Sequence, residues 1–400
     1  MAIVAEHVNR VKASEVSVVS AKALELERQG RDIIRLSAGE PDFATPDHIK
    51  LACIKALCDN KTKYPPVIGL FELREAICAK LQRDNALEYS PSETIVSSGC
   101  KQVIYNAMTA TLNPGDEVVL LAPYWMSYAG IVQLSRGTPV YMPTHQKEGF
   151  KPAAAALEEA ITPKTKWVFL NSPGNPSGAV YGEEDLKALS DVFRRHPHVW
   201  ILSDDIYEYL IYDGRKFFNL LNVAPDLRSR FLLVNGLSKA YCMPGWRLGY
   251  AAGPEELIKA MFKVQSQSTS GATHFCQWAA VTALTGDHSF ISAHNAHYQD
   301  RRDLVVSMVN AIPGLSCRPP EGAFYCFIGC AEYLGRKTPK GVVISTDENL
   351  VEYLLNEAGV ATIPGTPFGM APYIRVSFAT SEPKIKAALE RVGDAIRQLR

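Results

Sequence analysis

The residues with the most distinctive chemistry lie in the short segment 235–250. Lys239 closely follows the apolar run 230–235, and Arg247 comes eight residues after it. An amine held among apolar neighbours loses its proton readily and acts as a nucleophile, whereas a guanidinium stays charged and grips a phosphate through its planar fork. Pyridoxal phosphate requires both groups, a Schiff base to its aldehyde and an anchor for its phosphate. For a lone Ser-Lys pair, a surface turn would be the better interpretation. Three further segments favour the functional interpretation here, because they supply the other parts of the same site.

A second segment, 203–208, offers a carboxylate at the end of another apolar run. A carboxylate held against the ring nitrogen of this cofactor keeps the nitrogen protonated, so that the ring draws electrons from the substrate. Asp204 is the candidate, because side chains alternate along a strand and Asp205 would point to the opposite side. Tyr207 is expected to donate a hydrogen bond to the ring hydroxyl. An Asp-Asp pair at a strand end is also common in plain turns.

Two loops add polar groups. The loop 171–178 is kept out of regular structure by its prolines and glycines. It is either a tight connector or a loop that brings Asn175 to the substrate carboxylate and the ring hydroxyl. Gly99, Cys100 and Lys101 lie between a strand and a helical pattern, where backbone N–H groups bind anions. They are expected to hold the phosphate, and since the sequence has no GxxxxGK[ST] motif, a nucleotide P-loop is excluded.

Two further residues, Trp125 and Arg375, each allow a structural and a functional interpretation. Trp125, just past a strand end, is either core filler or a stacking face for a flat heteroaromatic ring. Arg375 interrupts the apolar strand 373–378 and needs an anion, either an internal carboxylate or the α-carboxylate of a substrate. Gly39 would add a backbone N–H to the same substrate carboxylate.

The elements that must position these residues predict an α/β architecture. Between residues 92 and 252, short apolar runs alternate with amphipathic stretches, which is typical of a mostly parallel sheet with crossover helices. Ligands of such sheets lie outside the carboxyl ends of the strands, where the candidate residues fall. The pattern then changes to a long helix over 288–312 and strands at 323–328 and 373–378. We therefore expect three parts, which are an N-terminal segment packing with the small domain (1–45), a large cofactor-binding domain (46–290) and a small C-terminal domain (291–400).

Composition limits the classes of function. The 400 residues include 42 Lys+Arg and 42 Asp+Glu, so the chain has no net positive charge that would favour binding to nucleic acid or to an anionic membrane. No apolar run approaches the roughly 20 residues that span a bilayer, and the start of the chain lacks the pattern of a secretory signal. Nine cysteines favour reduced thiols in a cytoplasmic enzyme. No second Cys or His pair joins Cys326 and Cys330, so no metal site is expected.

Taken in order, these segments resemble the class I aminotransferases of the aspartate aminotransferase family, which are fold type I pyridoxal-phosphate enzymes. The resemblance runs from segment 37–43 through 61–64 and 171–176 to the strand of Arg375. It implies a large domain with a mostly parallel seven-stranded sheet, a smaller α/β domain and a homodimer with shared active sites. It also implies that an L-amino acid gives up its amino group to the cofactor and that a 2-oxo acid such as 2-oxoglutarate takes it, in a ping-pong cycle.

The resemblance assigns roles to the candidate residues. Lys239 would be the Schiff-base lysine and general base, with Asp204 on the pyridine nitrogen and Trp125 stacked on the ring. Tyr207 and Asn175 would bind the ring hydroxyl. The residues that the resemblance places around the phosphate are Gly99, Cys100, Ser238, Arg247 and, from the neighbouring subunit, Tyr64.

Within the family, the chain resembles the bacterial subgroup of aspartate and related aminotransferases, some of which act on prephenate or aromatic substrates. This subgroup lacks the arginine that other members aim at the distal carboxylate, and segment 266–273 has none here. Lys101 is expected to take that role, with Ser14 adding a polar contact from the N-terminal segment. Val16 and Pro244 stand where threonine is often found, which leaves the choice among aspartate, aromatic and prephenate-type substrates open.

Two other functions stay open at this point. The same lysine, aspartate and arginine serve fold type I lyases and decarboxylases, which release a fragment without an amino acceptor. A ligand-sensing, aminotransferase-like domain of a transcription factor would need a DNA-binding segment, and no basic helix-turn-helix pattern precedes residue 37.

Overall fold

Runs of Val, Ile and Leu form the strands, because branched side chains pack well on a pleated sheet that is covered on both faces. The computed structural model describes residues 3–400. The strands are β1 (Ile34–Arg35), β2 (Thr94–Ser97), β3 (Glu117–Ala122), β4 (Thr138–Pro143), β5 (Thr165–Asn171), β6 (Trp200–Asp204), β7 (Phe231–Gly236), β8 (Gly249–Ala252), β9 (Ser316–Cys317), β10 (Tyr325–Gly329), β11 (Val360–Ala361), β12 (Ile363–Pro364) and β13 (Tyr373–Ser377).

Amphipathic stretches form the helices. The α-helices are α1 (Glu6–Asn9), α2 (Glu15–Arg28), α3 (Asp47–Cys58), α4 (Phe71–Asn85), α5 (Cys100–Thr111), α6 (Ser127–Leu134), α7 (Ala154–Ala160), α8 (Glu183–Arg195), α9 (Leu220–Val223), α10 (Glu255–Ser266), α11 (His274–Thr285), α12 (Ser289–Asn310), α13 (Asp347–Tyr353) and α14 (Glu382–Arg397). Short 3₁₀ turns lie at Pro91–Glu93, Gln146–Glu148, Pro225–Arg230, Ala331–Tyr333 and Thr366–Phe368, and a π-helical turn at Leu354–Ala358. Helix α8 is an example of this amphipathic pattern, because Leu186, Leu189 and Phe193 are buried on one face. Its first turn is acidic and its last turn carries arginines, which suits the helix dipole.

The largest sheet formed by residues 3–400 has seven strands in the order β2-β8-β7-β6-β5-β3-β4. Strands β3 to β7 pair in parallel, and β8 runs antiparallel to β7 and β2. This confirms the predicted α/β class with a mostly parallel seven-stranded sheet. The carboxyl ends of β5, β6 and β7, at Asn171, Asp204 and Gly236, lie at one edge of the sheet.

Strand β4 is the one strand of this sheet that the sequence pattern did not indicate. It lies at the sheet edge, it contains Pro139 and Pro143, and Met142 is its one buried residue. Proline cannot donate to the hydrogen-bond ladder and is therefore confined to edge positions. An edge strand with so little buried surface lacks the continuous apolar run that marks its central neighbours.

A smaller sheet positions Arg375. Within the described residues its order is β12-β13-β10-β9, all antiparallel, and Phe327 on β10 pairs with Arg375 on β13. The N-terminal segment reaches this part of the chain through β1, which pairs in parallel with β11. Residues 1 and 2 of the predicted segment 1–45 lie outside the described residues. The division at residues 45 and 290 stays a prediction, and α12 continues across the second position.

The hydrophobic core packs against both faces of the seven-stranded sheet. Along β3, Val119 and Leu121 belong to one buried cluster, and Val118 and Leu120 belong to another on the opposite face. Both faces of the strand are therefore packed, which explains why it has no polar alternation. No helix within residues 3–400 is long and apolar enough to cross a membrane.

Candidate active site

The carboxyl ends of β5 and β6 and the loop after β7 open into a pocket of about 630 Å³, which the N-terminal segment and strands β10 and β13 also line. Gly99 lies beside it, against the guanidinium of Arg247. Tyr64 lies elsewhere, with its side chain 97% exposed in the single chain. The candidate residues that line the pocket are Ser14, Gly39, Cys100, Lys101, Trp125, Asn175, Asp204, Tyr207, Ser238, Lys239, Arg247 and Arg375.

Asp204, the last residue of β6, is a buried carboxylate that faces the pocket. Its Oδ2 accepts a hydrogen bond from the Tyr128 hydroxyl at 2.6 Å, and its Oδ1 accepts a long one from the Ile206 N–H at 3.4 Å. Burial raises the pKa of this carboxyl to about 6, against the opposing effects of both hydrogen bonds and of Lys239. The carboxylate is therefore short of stabilising partners, and a cationic ligand would favour its charged form.

Asp205, the adjacent carboxylate, has a different environment. It accepts hydrogen bonds from the Ser203 hydroxyl and from the Asn219 side-chain amide, both at 2.6 Å. It is not among the residues that line the pocket. Burial raises the pKa of the Asp205 carboxyl to about 7, so the difference between the two neighbouring carboxylates is that Asp204 faces the pocket and Asp205 faces Ser203 and Asn219.

Lys239 lies in the loop after β7 and is partly buried. Its Nζ donates a hydrogen bond to the carbonyl oxygen of Gly39 at 2.5 Å. The same atom lies 5.5 Å from the ring centroid of Tyr207 and 5.6 Å from that of Phe324. Aromatic rings thus flank the amine, while the pocket remains accessible to it.

One corner of the pocket suits an anion. Helix α5 begins at Cys100, and its N-terminal cap, Gly99, has a φ of 90°, which glycine adopts without strain. A side chain at Gly99 would collide with the Arg247 guanidinium, so the helix N-terminus and the guanidinium share one space. Arg247 also donates from Nη2 to the Ser98 carbonyl at 3.3 Å, and Ser238 lines the same pocket. Backbone N–H groups, the helix dipole and a fixed cation are the elements of a phosphate site.

Arg375 is a buried cation with neutral hydrogen-bond partners. It is 2% exposed. Its Nη1 donates to Asn175 Oδ1 at 3.1 Å and its Nη2 to the Ser37 carbonyl at 2.8 Å. Its Nε is buried without a partner among residues 3–400, and burial lowers the pKa of the guanidinium. The structure therefore shows no internal salt bridge of Arg375 within these residues and leaves its charge for a ligand.

Lys101 and Trp125 lie together on another side of the pocket. The Nζ of Lys101 is 5.0 Å from the Trp125 ring centroid, and burial lowers the pKa of this lysine. Trp125 packs edge to face on Tyr128, with 5.3 Å between the ring centroids. Ser14 reaches the pocket from the residue before α2, and its hydroxyl lies 3.8 Å from the sulfur of Met126.

The sequence did not single out two tyrosines of this pocket, Tyr128 and Tyr325. Tyr128 is the hydrogen-bond donor described above, and it follows Trp125 by three positions at the start of α6. The Tyr325 hydroxyl lies 2.8 Å from that of Tyr207, and its ring centroid is 4.5 Å from Arg375 Cζ. The sequence signal for Tyr128 was its helical spacing from Trp125, and that for Tyr325 was its place in an apolar strand of the same region as Arg375. Both signals are equally typical of ordinary core aromatics.

The sequence as a whole matches a known family. The family model described as "Aminotransferase class I and II" matches residues 31–392, which is most of the chain. The chain belongs to this family. Members of this family transfer amino groups, and most of the candidate residues for that chemistry line the pocket described above.

Similar proteins place this aminotransferase more closely. A "Probable aspartate/prephenate aminotransferase" of Rhizobium leguminosarum bv. phaseoli is 52% identical over 392 residues, covering 98% of this chain and 98% of its own. The "Aspartate aminotransferase" of Rhizobium meliloti (strain 1021) is 49% identical over 395 residues, covering 99% and 96%. Among solved structures, the aspartate aminotransferase from Rhizobium meliloti superposes with a TM-score of 0.97 at 49% identity, over 100% of both chains. The Thermus thermophilus aspartate aminotransferase with maleate gives 0.92 at 43% identity, over 99% of this chain and 100% of the other.

These findings confirm the resemblance seen in the sequence. This aminotransferase is a member of the aspartate aminotransferase family with the type I fold, and it depends on pyridoxal phosphate. The predicted enzyme class and cofactor are confirmed with it.

Proposed function

We propose that this aminotransferase moves the amino group of L-aspartate, or of a related acidic or aromatic amino acid, to a 2-oxo acid such as 2-oxoglutarate in a ping-pong cycle. The observation that carries the proposal is the buried guanidinium of Arg375, whose Nε lacks a partner among the described residues. A substrate carboxylate would supply the missing anion. The names of relatives at about half identity, aspartate and aspartate/prephenate aminotransferase, support aspartate as a donor, whereas prephenate is itself a 2-oxo acid and fits the acceptor.

The residues at the sheet edge fit the cofactor. When bound, pyridoxal phosphate supplies an aldehyde that takes up amines and a ring that accepts electrons from the substrate's α-carbon. The anion corner of Gly99 and Arg247 suits its phosphate, and Asp204 suits its protonated ring nitrogen, because a cation would stabilise a carboxylate whose pKa burial raises to about 6. Trp125 would stack on the ring, and Tyr207 would donate to the ring hydroxyl. Further phosphate contacts would come from Cys100, Lys101 and Ser238.

Lys239 is assigned two tasks. Its amine would hold the cofactor through the aldehyde in the resting enzyme. When the amine is free, its Nζ would act as the base that removes the proton from the substrate's α-carbon and holds it. The carbonyl of Gly39, which accepts a hydrogen bond from this Nζ at 2.5 Å, keeps the amine at the pocket wall.

The substrate itself would be held by its two ends. Arg375, Asn175 and the backbone N–H of Gly39 would bind the α-carboxylate. The Nζ of Lys101 would meet a distal carboxylate, with Ser14 as a polar neighbour. Burial lowers the pKa of Lys101, so an anionic side chain brought against it would favour its charged form. Maleate, present in the Thermus thermophilus structure, is a dicarboxylate of this kind.

A homodimer with shared active sites is part of the same proposal. Tyr64 is 97% exposed in the single chain, and Leu51 and Ile54, one helical turn apart on α3, are 62% and 55% exposed. Large apolar side chains exposed on one helical face mark an interface. A second copy that covers them would bring Tyr64 to the neighbouring phosphate site. Sedimentation equilibrium should give twice the 44.0 kDa of one chain, and a monomer would contradict this part of the proposal.

Two further expectations belong to the proposal. A cytoplasmic location agrees with nine cysteines that are all free thiols. A three-part division into 1–45, 46–290 and 291–400 is supported by the pairing of β1 with β11, which attaches the N-terminal segment to the C-terminal part.

The visible absorption spectrum of the holoenzyme tests the proposal. Single amino acids are added without any 2-oxo acid. We expect aspartate or glutamate to bleach the yellow band with release of one 2-oxo acid per site, and 2-oxoglutarate to restore it. A lyase would instead release product repeatedly without an acceptor. A band that no amino acid bleaches would contradict the proposed transfer.

A further inference from the structure

Tyr325 connects the two sheets across the pocket through a single hydroxyl group. On β10 it lies diagonally opposite Arg375 of β13, because Phe327 is the residue paired with Arg375. Its ring centroid is 4.5 Å from the Arg375 Cζ, and its hydroxyl is 2.8 Å from the Tyr207 hydroxyl. A residue of the small sheet therefore touches both the guanidinium assigned to the substrate and the hydroxyl assigned to the cofactor.

Packing fixes the position of this hydroxyl. Tyr325 is fully buried, and its ring meets that of Tyr207 edge to face, with centroids 5.9 Å apart at 81°. The ring of Phe324 lies 4.8 Å away. A β-carbon at Gly39 would lie 3.0 Å from the Tyr325 oxygen, so the neighbouring backbone approaches as closely as glycine permits. The surrounding packing therefore holds the Tyr325 hydroxyl beside that of Tyr207.

The hydroxyl pair has a favoured direction once a cofactor is present. A tyrosine hydroxyl donates one hydrogen bond and accepts others, so Tyr207 can donate to a ring oxygen while it accepts from Tyr325. Burial raises the pKa of Tyr207, which therefore keeps its proton. The charged or titratable groups around Tyr207 are Tyr128, Asp204, Lys239, Tyr325 and Arg375. Arg375 lies over the face of Tyr325 and makes its hydroxyl a stronger donor.

We propose that Tyr325 is a positioning residue that transmits the occupancy of Arg375 to Tyr207. A carboxylate on Arg375 neutralises the guanidinium, which weakens Tyr325 as a donor and, through it, the bond from Tyr207 to the cofactor's ring oxygen. This inference rests on the proposed roles of Arg375 and Tyr207. Arg375 also contacts Asn175 at 3.1 Å, so a second route operates in parallel and loss of Tyr325 reduces the signal without abolishing it.

The test uses the pH midpoint of the visible band of the holoenzyme, with and without saturating maleate. Tyr325→Phe keeps the ring beside Arg375 and removes the hydroxyl alone. A strong bond from Tyr207 to the ring oxygen lowers the midpoint, so the variant should have a midpoint about 0.5 to 1 pH unit higher, the equivalent of one hydrogen bond. The upward shift that maleate causes should be smaller in the variant than in the wild type.

Controls separate this effect from general damage. Tyr353→Phe removes another buried hydroxyl of the C-terminal part, bonded to the Ala395 carbonyl at 2.9 Å, and should leave both midpoints unchanged. Calorimetry should give maleate dissociation constants for the Tyr325→Phe and wild-type proteins that agree within about threefold, because the guanidinium and ring are retained. Midpoints in Tyr325→Phe that equal those of the wild type, or a wild-type midpoint that maleate does not move, would overturn the inference. Bleaching of the band by aspartate reports the proposed function separately.

Discussion

The pocket has two walls that carry opposite charges without full protein partners. The large-sheet wall holds Asp204, a buried carboxylate bonded to a tyrosine hydroxyl and, at longer range, to a backbone N–H. The small-sheet wall holds Arg375, a buried guanidinium bonded to a side-chain amide oxygen and a backbone carbonyl. Burying a charge without a counter-charge costs folding free energy. Each wall is therefore arranged for a ligand, a cationic ring nitrogen on one side and a carboxylate on the other.

The walls also differ in how the chain builds them. Asp204 and Lys239 come from the ends of neighbouring parallel strands, which a core packed on both faces holds in place. Arg375 meets Ser37 and Asn175, residues from three distant parts of the chain. We expect changes in the large-sheet wall to act on chemistry, measured by kcat, and changes in the small-sheet wall to act on substrate affinity and choice.

The largest effect should follow from the large-sheet wall, with Lys239→Ala. The variant loses both the cofactor-binding amine and the base for the α-proton, so kcat should fall by about 10⁴-fold or more. Steady-state transamination with added cofactor measures this loss, and far-UV circular dichroism checks that the fold is retained. Lys263→Ala, an exposed lysine of α10, is the matched control and should keep wild-type activity. A Lys239→Ala enzyme within about tenfold of wild type would remove Lys239 from the mechanism.

The adjacent carboxylates give a sharper contrast within one wall. Asp204→Asn should lower kcat by about 10³-fold, because a neutral amide cannot keep the ring nitrogen protonated. Asp205→Asn should keep kcat within about threefold, because Asp205 does not line the pocket and its hydrogen bonds go to Ser203 and Asn219. Steady-state kinetics of both variants tests the pair. Equal losses of kcat in the two variants would contradict the separation.

On the small-sheet wall, Arg375→Lys should lower kcat/KM for aspartate by about 100-fold, mainly through KM. Lysine retains the charge but loses the planar fork that binds a carboxylate through two parallel hydrogen bonds. Initial rates over a range of aspartate concentrations measure the split between kcat and KM. A loss confined to kcat would contradict the assignment of substrate affinity to the small-sheet wall.

A smaller effect concerns the stability of the enzyme without cofactor. Burial raises the pKa of Asp204 from 3.8 to about 6. The folded state therefore holds this proton more tightly than the unfolded state, and the stability contributed below about pH 4 is lost as the pH rises through about 6. Asp204→Asn lacks this charge, so its Tm should exceed that of the wild type by a few degrees at about pH 7.5 and by less at about pH 5.

Scanning calorimetry of the two apoenzymes checks this dependence. Asp205, whose pKa burial raises to about 7, is present in both proteins, so its own contribution largely cancels in the difference. A difference in Tm that does not grow with pH would show that Asp204 carries no unbalanced charge in the folded state.

Much of the large-sheet wall could be predicted from the sequence. Its central strands are continuous apolar runs, and parallel strands collect the residues that follow them at one edge. The order of these runs along the chain was therefore enough to place Asp204 and Lys239 together. Edge strand β4 could not be found in this way, because its prolines and exposed positions remove the apolar signal.

The small-sheet wall was less accessible to the same reasoning. Arg375 is visible as a charge inside an apolar strand, but its neighbours depend on how distant segments pack. Tyr325 lies in a run of aromatic and apolar residues and looks like core filler. Only the pairing of β10 with β13 brings it beside Arg375, and only the approach of the two sheets brings its hydroxyl to Tyr207.

A crystal structure of the enzyme with pyridoxal phosphate and maleate would test the central claim most directly. The claim predicts that the ring nitrogen of the cofactor contacts the Asp204 carboxylate and that one maleate carboxylate binds the Arg375 guanidinium, so that each buried charge gains its opposite. A maleate bound away from Arg375, or a ring nitrogen that faces another group than Asp204, would contradict it.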